Sequence, residues 1–204
     1  GSSLTRVCDS TFLTHCGPEI SVASTKAFTS QITTLYALAA FLGQANGNLS
    51  QSAFEKLYKE LLSLSKLMGN TVKMEYDVRH LTRKIYKANR FIFLGRGVNY
   101  PIALEGALKL KEVSYLSAEG FAAGEIKHGP ISIIDKGTPV IMLMPYDDLF
   151  DKMLYACEEC RARGAFVVAL TTKMGAKRIK DAADKVLVVP QTSTLLQPVL
   201  DVVP

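Results

Sequence analysis

Residues 91–101 read Phe-Ile-Phe-Leu-Gly-Arg-Gly-Val-Asn-Tyr-Pro: an unbroken apolar run, a glycine-containing turn, and a proline that opens a helical stretch. A run without polar alternation has no solvent face, which suits a strand of a parallel sheet covered on both sides. The same texture recurs at Val140-Ile-Met-Leu-Met144, Phe166-Val-Val-Ala-Leu170 and Val186-Leu-Val-Val189. Helical stretches at 101–116, 150–163 and 177–183 alternate with these runs. The order β-α-β-α-β predicts an α/β fold, a doubly wound parallel sheet flanked by helices. Ligands of such sheets gather at the carboxyl ends of the strands.

Before about residue 90 the pattern is one of long helices. From Val22 to Phe41 small and apolar residues dominate all round, which predicts a helix buried on most of its surface. Asn46-Gly-Asn48 ends it, and Ser21 is placed to cap its start. In 49–68, Phe54, Leu57, Leu61, Leu64 and Leu67 recur at intervals of three and four between lysines and glutamates, an amphipathic helix capped by Ser50. A third helix is expected over 74–88, and His15 closes a short expected strand.

The 204 residues are 48% hydrophobic and 21% charged, enough apolar material for a folded core and too much for a disordered chain. The longest apolar runs fall well short of the roughly 20 residues a membrane helix needs, and no basic-then-apolar signal pattern opens the chain. A cytoplasmic protein without membrane contact is expected. The net charge of +5 is spread among acids, without a basic stripe or stacking aromatics, so nucleic acid is not an expected partner. Arg79, Arg83, Lys84, Lys87 and Arg90 read as one solvated helix face. Cys8 and Cys16 read as structural thiols. Cys157 and Cys160 form a Cys-x-x-Cys, but no second pair or histidine stands nearby, and two reduced helix thiols are favoured over a metal or redox centre.

Four places can carry chemistry. The turn Gly95–Pro101 follows a strand and opens a helix, so its N–H groups could hold an anion. It lacks the third glycine of a dinucleotide fingerprint and the Gly-Lys-Ser/Thr of a P-loop, and an ordinary strand-to-helix turn stands level with phosphate binding. On the next helix Glu105, Lys109 and Glu112, at offsets of four and three, share one face. They are either an ion-paired surface or the carboxylate and ammonium that proton transfer between adjacent carbons requires. In 118–130 a glycine-punctuated stretch carries Lys127 and His128, and His128 is the best-placed acid or base near neutral pH. Finally, the hydroxyls of Ser21, Ser24 and Thr25 either cap a helix or bind a polyol.

Three segments carry a resemblance. Gly17-Pro-Glu-Ile-Ser-Val-Ala-Ser-Thr-Lys-Ala-Phe-Thr-Ser-Gln31, Phe93-Leu-Gly-Arg-Gly97 with Ala103-Leu-Glu-Gly-Ala-Leu-Lys-Leu-Lys-Glu-Val-Ser-Tyr115, and Gly124-Glu-Ile-Lys-His-Gly-Pro130 resemble the glucosamine-6-phosphate synthase family. These are the glutamine:fructose-6-phosphate amidotransferases, and the resemblance implies their sugar isomerase (SIS) domain. It implies a SIS-type sheet, with residues 1–70 as the closing part of a first subdomain and 71–204 as a second one, truncated at its end. The opening Gly1-Ser-Ser3 is read as native.

The family converts fructose 6-phosphate and glutamine-derived ammonia to glucosamine 6-phosphate, the first step toward UDP-N-acetylglucosamine. Carried over by position, Glu112 shuttles the proton between C1 and C2, Lys109 offsets oxygen charge, and His128 helps open the sugar ring in the site of a neighbouring subunit. Val22 and Ser24 contact the sugar. The resemblance thus implies a homodimer, a glutaminase domain on the same parent chain, and no metal or organic cofactor. The family's phosphate loop and Schiff-base lysine have no match in these residues, so the isolated chain is expected to be inactive. A non-catalytic SIS module that binds sugar phosphate or dimerises is the alternative.

Overall fold

The structure, a computed structural model, describes residues 2–204; Gly1, the start of the opening run read as native, lies outside them. A short helix α1 (Leu4–Val7) is followed by α2 (Lys26–Ala45), α3 (Gln51–Val72) and α4 (Glu75–Ile85). Then come β1 (Arg90–Gly95), α5 (Tyr100–Ser114), β2 (Ser117–Ala122), β3 (Pro139–Leu143), α6 (Phe150–Ala162), β4 (Phe166–Thr171), α7 (Lys173–Ile179), β5 (Lys185–Val188) and α8 (Gln197–Asp201). Two 3₁₀ segments, Ala123–His128 and Pro130–Ile133, bridge β2 and β3.

The five strands form one sheet in the order β2-β1-β3-β4-β5, and every pairing is parallel. All four expected apolar runs lie in this sheet as neighbours. Ile92, Leu94, Val140, Met142, Val167 and Ala169 bury one face against Phe150, Met153, Ala156, Cys157 and Cys160 of α6. The other face packs Leu143 and Leu170 against Ile102 and Ala103 of α5, with Phe28 and Ile32 of α2 beside them. Both faces being covered is why the runs do not alternate. β5 is the exception: it is an edge strand, and Val188 is 44% exposed.

Several expectations need correction. Ser117–Ala122, read within a glycine-punctuated loop, is the edge strand β2, where Gly120 lets α5 approach closely. An added Cβ there would lie 2.8 Å from the Ala103 carbonyl oxygen and from the Leu104 backbone. No strand forms at His15, whose φ is 50°. α2 begins at Lys26 rather than Val22, and it is not buried all round, since Leu35, Leu38, Phe41 and Leu42 are exposed. Cys8 is exposed and packs no core. Ser50 does cap α3, its Oγ accepting from the Ala53 N–H at 3.2 Å. Arg79, Arg83 and Lys84 are solvated on α4 as expected, but the helix ends at Ile85, so the exposed Lys87 follows it and the exposed Arg90 opens β1.

The 1–70 and 71–204 segments share a core. Leu64 of α3 packs with Leu196, Val199 and Leu200 around α8, and α3 itself runs across residue 70.

Candidate functional site

α5 starts at the carboxyl end of β1 and runs back past the sheet before the chain enters β2. Its Glu105, Lys109 and Glu112 are brought together as their spacing predicts. Lys109 Nζ lies 2.7 Å from Glu112 Oε2 and 3.4 Å from Glu105 Oε1. All three side chains are half-buried, at 22% exposure for Lys109 against 15% and 29% for Glu105 and Glu112. Burial works to lower the Lys109 ammonium, but the hydrogen bond to Glu112 and the charge of Glu105 outweigh it and hold the group above the ordinary lysine value. The result is a fixed cation with a carboxylate on either side. Such a pair can accept a proton from carbon and balance charge on an adjacent oxygen.

The loop before α2 reaches the same neighbourhood. Glu19 Oε1 accepts from the N–H groups of Thr25 at 3.0 Å and Ala27 at 2.9 Å, so a side chain from outside the helix satisfies two donors of its first turn. These two bonds hold the Glu19 carboxyl below the usual carboxylate range, and the charges of Lys26 and Lys109 add to them. Lys109 is therefore within electrostatic reach of this loop. Ser21, the expected cap, instead donates to the Ala23 carbonyl at 3.0 Å. Ala23 is buried while Val22 is 92% exposed, so Val22 has no packing role that would compete with ligand contact. Ser24 is half-buried. Glu19 was not singled out by the sequence reading; the available signal was an acid just ahead of a run of helix-opening hydroxyls.

His128 stands apart from this group. The 3₁₀ segment it ends packs Ala123 and Ile126 into the core on the α6 side of the sheet, whereas α5, which carries Glu112, packs Ile102 and Ala103 against the other face. His128 is exposed, and the neighbouring Lys127 ties the segment to Glu159 of α6 with a 2.6 Å ion pair.

The strand order reverses between β1 and β3, and the turn Gly95–Asn99 opens there. Two carboxyls, Asp147 and Asp201, stand near it. Asn99 is buried against the carboxyl of Asp201, and Asp147 stands close enough to act on the same group. Burial pushes Asp201 up to about 7, against hydrogen bonds from Gln197 and Asn99, with Asp147 raising it further. Asp201 Oδ1 accepts from Gln197 Nε2 at 2.7 Å, while Asp201 Oδ2 and Asn99 Oδ1 are buried without a partner. Burial likewise pushes the Cys157 and Cys160 thiols to about 12, the setting of inert helix thiols. Among the described residues no group of three or more His, Cys, Asp or Glu is disposed to hold a metal ion, and no helix is long and apolar enough to cross a membrane.

The SIS domain profile matches residues 84–204, from the end of α4 through α8. The chain belongs to the SIS domain family. It is 42% identical over 204 residues to a glutamine–fructose-6-phosphate aminotransferase (isomerizing) of Thermococcus kodakarensis, covering all of this chain and 33% of that protein. It is 43% identical to the protein of the same name from Thermus thermophilus, covering 34% of it. The chain thus spans about a third of the length of these curated relatives. Among solved structures, the C-terminal domain of glucosamine-fructose-6-phosphate aminotransferase from Francisella tularensis superimposes with a TM-score of 0.96 at 37% identity, over 100% of this chain and 57% of that one.

Proposed function

We propose that this chain is isomerase-domain sequence of a glutamine–fructose-6-phosphate aminotransferase, acting on fructose 6-phosphate. The observation that carries the reading is the Glu112–Lys109 pair, 2.7 Å apart on the helix that opens the SIS core of a chain alignable end to end with aminotransferases. Once ammonia has replaced the C2 oxygen of the open-chain sugar, Glu112 takes a proton from C1. The electron pair moves into a C1–C2 double bond, and the nitrogen gains a proton. The same carboxyl then returns its proton to C2 as the O1 hydroxyl gives one up and C1 becomes an aldehyde. Lys109 offsets the charge that develops on O1 during this exchange.

The remaining parts of the reading follow from the same family. Residues 1–70 complete a first SIS subdomain and 71–204 form most of a second. Val22 and Ser24 contact the sugar, and His128, on the other face of the sheet from α5, serves the site of a partner subunit in a homodimer. A glutaminase domain of the same parent chain supplies ammonia, glucosamine 6-phosphate is the product, and the setting is cytoplasmic.

Replacing Glu112 by Gln tests the reading, because it keeps shape and hydrogen bonding while removing the base. In the aminotransferase polypeptide we assign this segment to, turnover is expected to fall by roughly 10²–10⁴-fold with little change in sugar binding. A surface ion pair predicts a nearly unchanged rate and a stability loss of about 0.3–0.5 kcal/mol. Near-normal hydrogen exchange at C1 of the bound sugar in the variant would remove Glu112 from the reaction.

A further inference from the structure

We propose that Glu19 is a positioning residue, which folds the 20–25 loop onto the start of α2 and so presents Val22 and Ser24 to a ligand. The inference rests on the functional reading given above. Three observations carry it. First, the carboxylate replaces the usual cap: Thr25, at the N-cap position, makes no side-chain capping bond, and Glu19 Oε1 takes the Thr25 and Ala27 N–H groups at 3.0 and 2.9 Å instead. A cap contributed from six residues upstream closes the intervening backbone into a ring rather than leaving it to trail from the helix.

Second, the ring is closed a second time from within. Ser21 Oγ donates to the Ala23 carbonyl at 3.0 Å, and Ala23 is buried. With Ala23 turned inward, its neighbour Val22 is turned out, at 92% exposure, and Ser24 lies at the boundary. An apolar side chain held in solvent by two tethers on either side is placed for something other than packing. Third, Glu19 and Lys109 feel one another's charge. The loop comes from the N-terminal segment and Lys109 from the helix after β1, so the loop that Glu19 holds lies within reach of the Lys109 charge. Its carboxylate is committed to two backbone donors, which leaves it as a holder of the loop rather than a base.

The proposal separates the two properties of Glu19, hydrogen-bond acceptance and charge, and two substitutions divide them. Glu19→Gln keeps an acceptor for both N–H groups and loses the charge; Glu19→Ala loses both. In the 204-residue chain, amide exchange at Thr25 and Ala27 is expected to rise at least tenfold in Glu19→Ala and to stay near wild type in Glu19→Gln. Titration of the aminotransferase polypeptide we assign this segment to with glucosamine 6-phosphate, followed by amide resonances, is expected to shift residues 22, 24, 109 and 112 together in the wild type. In Glu19→Ala the shifts at 22 and 24 are lost and the apparent Kd rises about tenfold, while those at 109 and 112 persist; Glu19→Gln restores the shifts at 22 and 24. Wild-type binding with Glu19→Ala indistinguishable from it overturns the role of Glu19 alone. Loss of all four shifts together in Glu19→Ala, with exchange raised throughout α2, reduces Glu19 to a helix stabiliser and also overturns it. A wild-type chain in which none of the four residues responds overturns the reading of the site, and this inference falls with it.

Discussion

Asp201 shows how one buried atom can set the response of a domain to pH. Its carboxyl is 3% exposed as a residue, bonded through Oδ1 to Gln197 and left without a partner at Oδ2, beside an Asn99 whose own Oδ1 is unpaired. A proton on Asp201 gives that oxygen something to donate, which is why burial favours the protonated form. The folded value of about 7 lies above the ordinary 3.8, so the stabilising contribution is fully present below the lower figure. It declines as pH rises between the two and is gone above about 7. Asp201→Asn carries a permanent amide donor in the same shape. It is expected to gain about 1–3 kcal/mol over the wild type at pH 8 and to lose that advantage near pH 4, measured by urea unfolding across pH. Equal pH profiles for the two proteins would show the carboxyl to be ionised in the fold. The sequence offered one sign of this group, a lone acid in the apolar run Leu195–Pro204. Its partner Asn99 lies about a hundred residues away, and no local spacing records that.

At the scale of elements, what was legible followed from burial and period. β1, β3 and β4 announced themselves because both their faces are covered, β5 by its apolar run alone, and α3 because its leucines fall on one stripe and Ser50 accepts the Ala53 N–H. β2 stayed hidden because its partner on one side only is β1 and its residues, Ser-Ala-Glu-Gly-Phe-Ala, are small or polar. The small residues have a packing reason: Gly120 lies against the backbone of α5. Gly120→Ala would place a methyl 2.8 Å from Ala103 O, which only a shift of the helix can relieve. The expected cost is about 1–3 kcal/mol in chemical denaturation. Because the same helix carries Lys109 and Glu112, their 2.7 Å contact should loosen too, visible as a change in the Lys109 ammonium resonance. A fully stable Gly120→Ala protein would mean that β2 itself gives way. The candidate site was legible where it lay on one helix face, and Glu105, Lys109 and Glu112 needed only the period of 3.6. The link between α5 and the Glu19 loop needed the fold.

The whole molecule places Glu112 and His128 on elements that pack against opposite faces of one sheet, the arrangement behind the proposal that His128 serves a partner's site. Light scattering over a concentration series is expected to show a dimer, and Gly129→Pro, which disturbs the backbone next to His128, is expected to weaken it. A strict monomer at high concentration would leave His128 without the role proposed for it. A different consequence follows from the cluster of Leu64 with Leu196, Val199 and Leu200. On the ribosome, α2 and α3 emerge before the sheet, and Leu196, Val199 and Leu200, which pack on Leu64, are made about 130 positions after it. At 5–20 residues per second that interval is on the order of ten seconds. Throughout it strands β1, β2 and β3 can pair, since all three lie within 90–143, while the part of α3 that packs on α8 waits in solvent. Newly made chains are therefore open to aggregation and to chaperone capture through this face of α3, and slow translation between β3 and α8 prolongs that exposure.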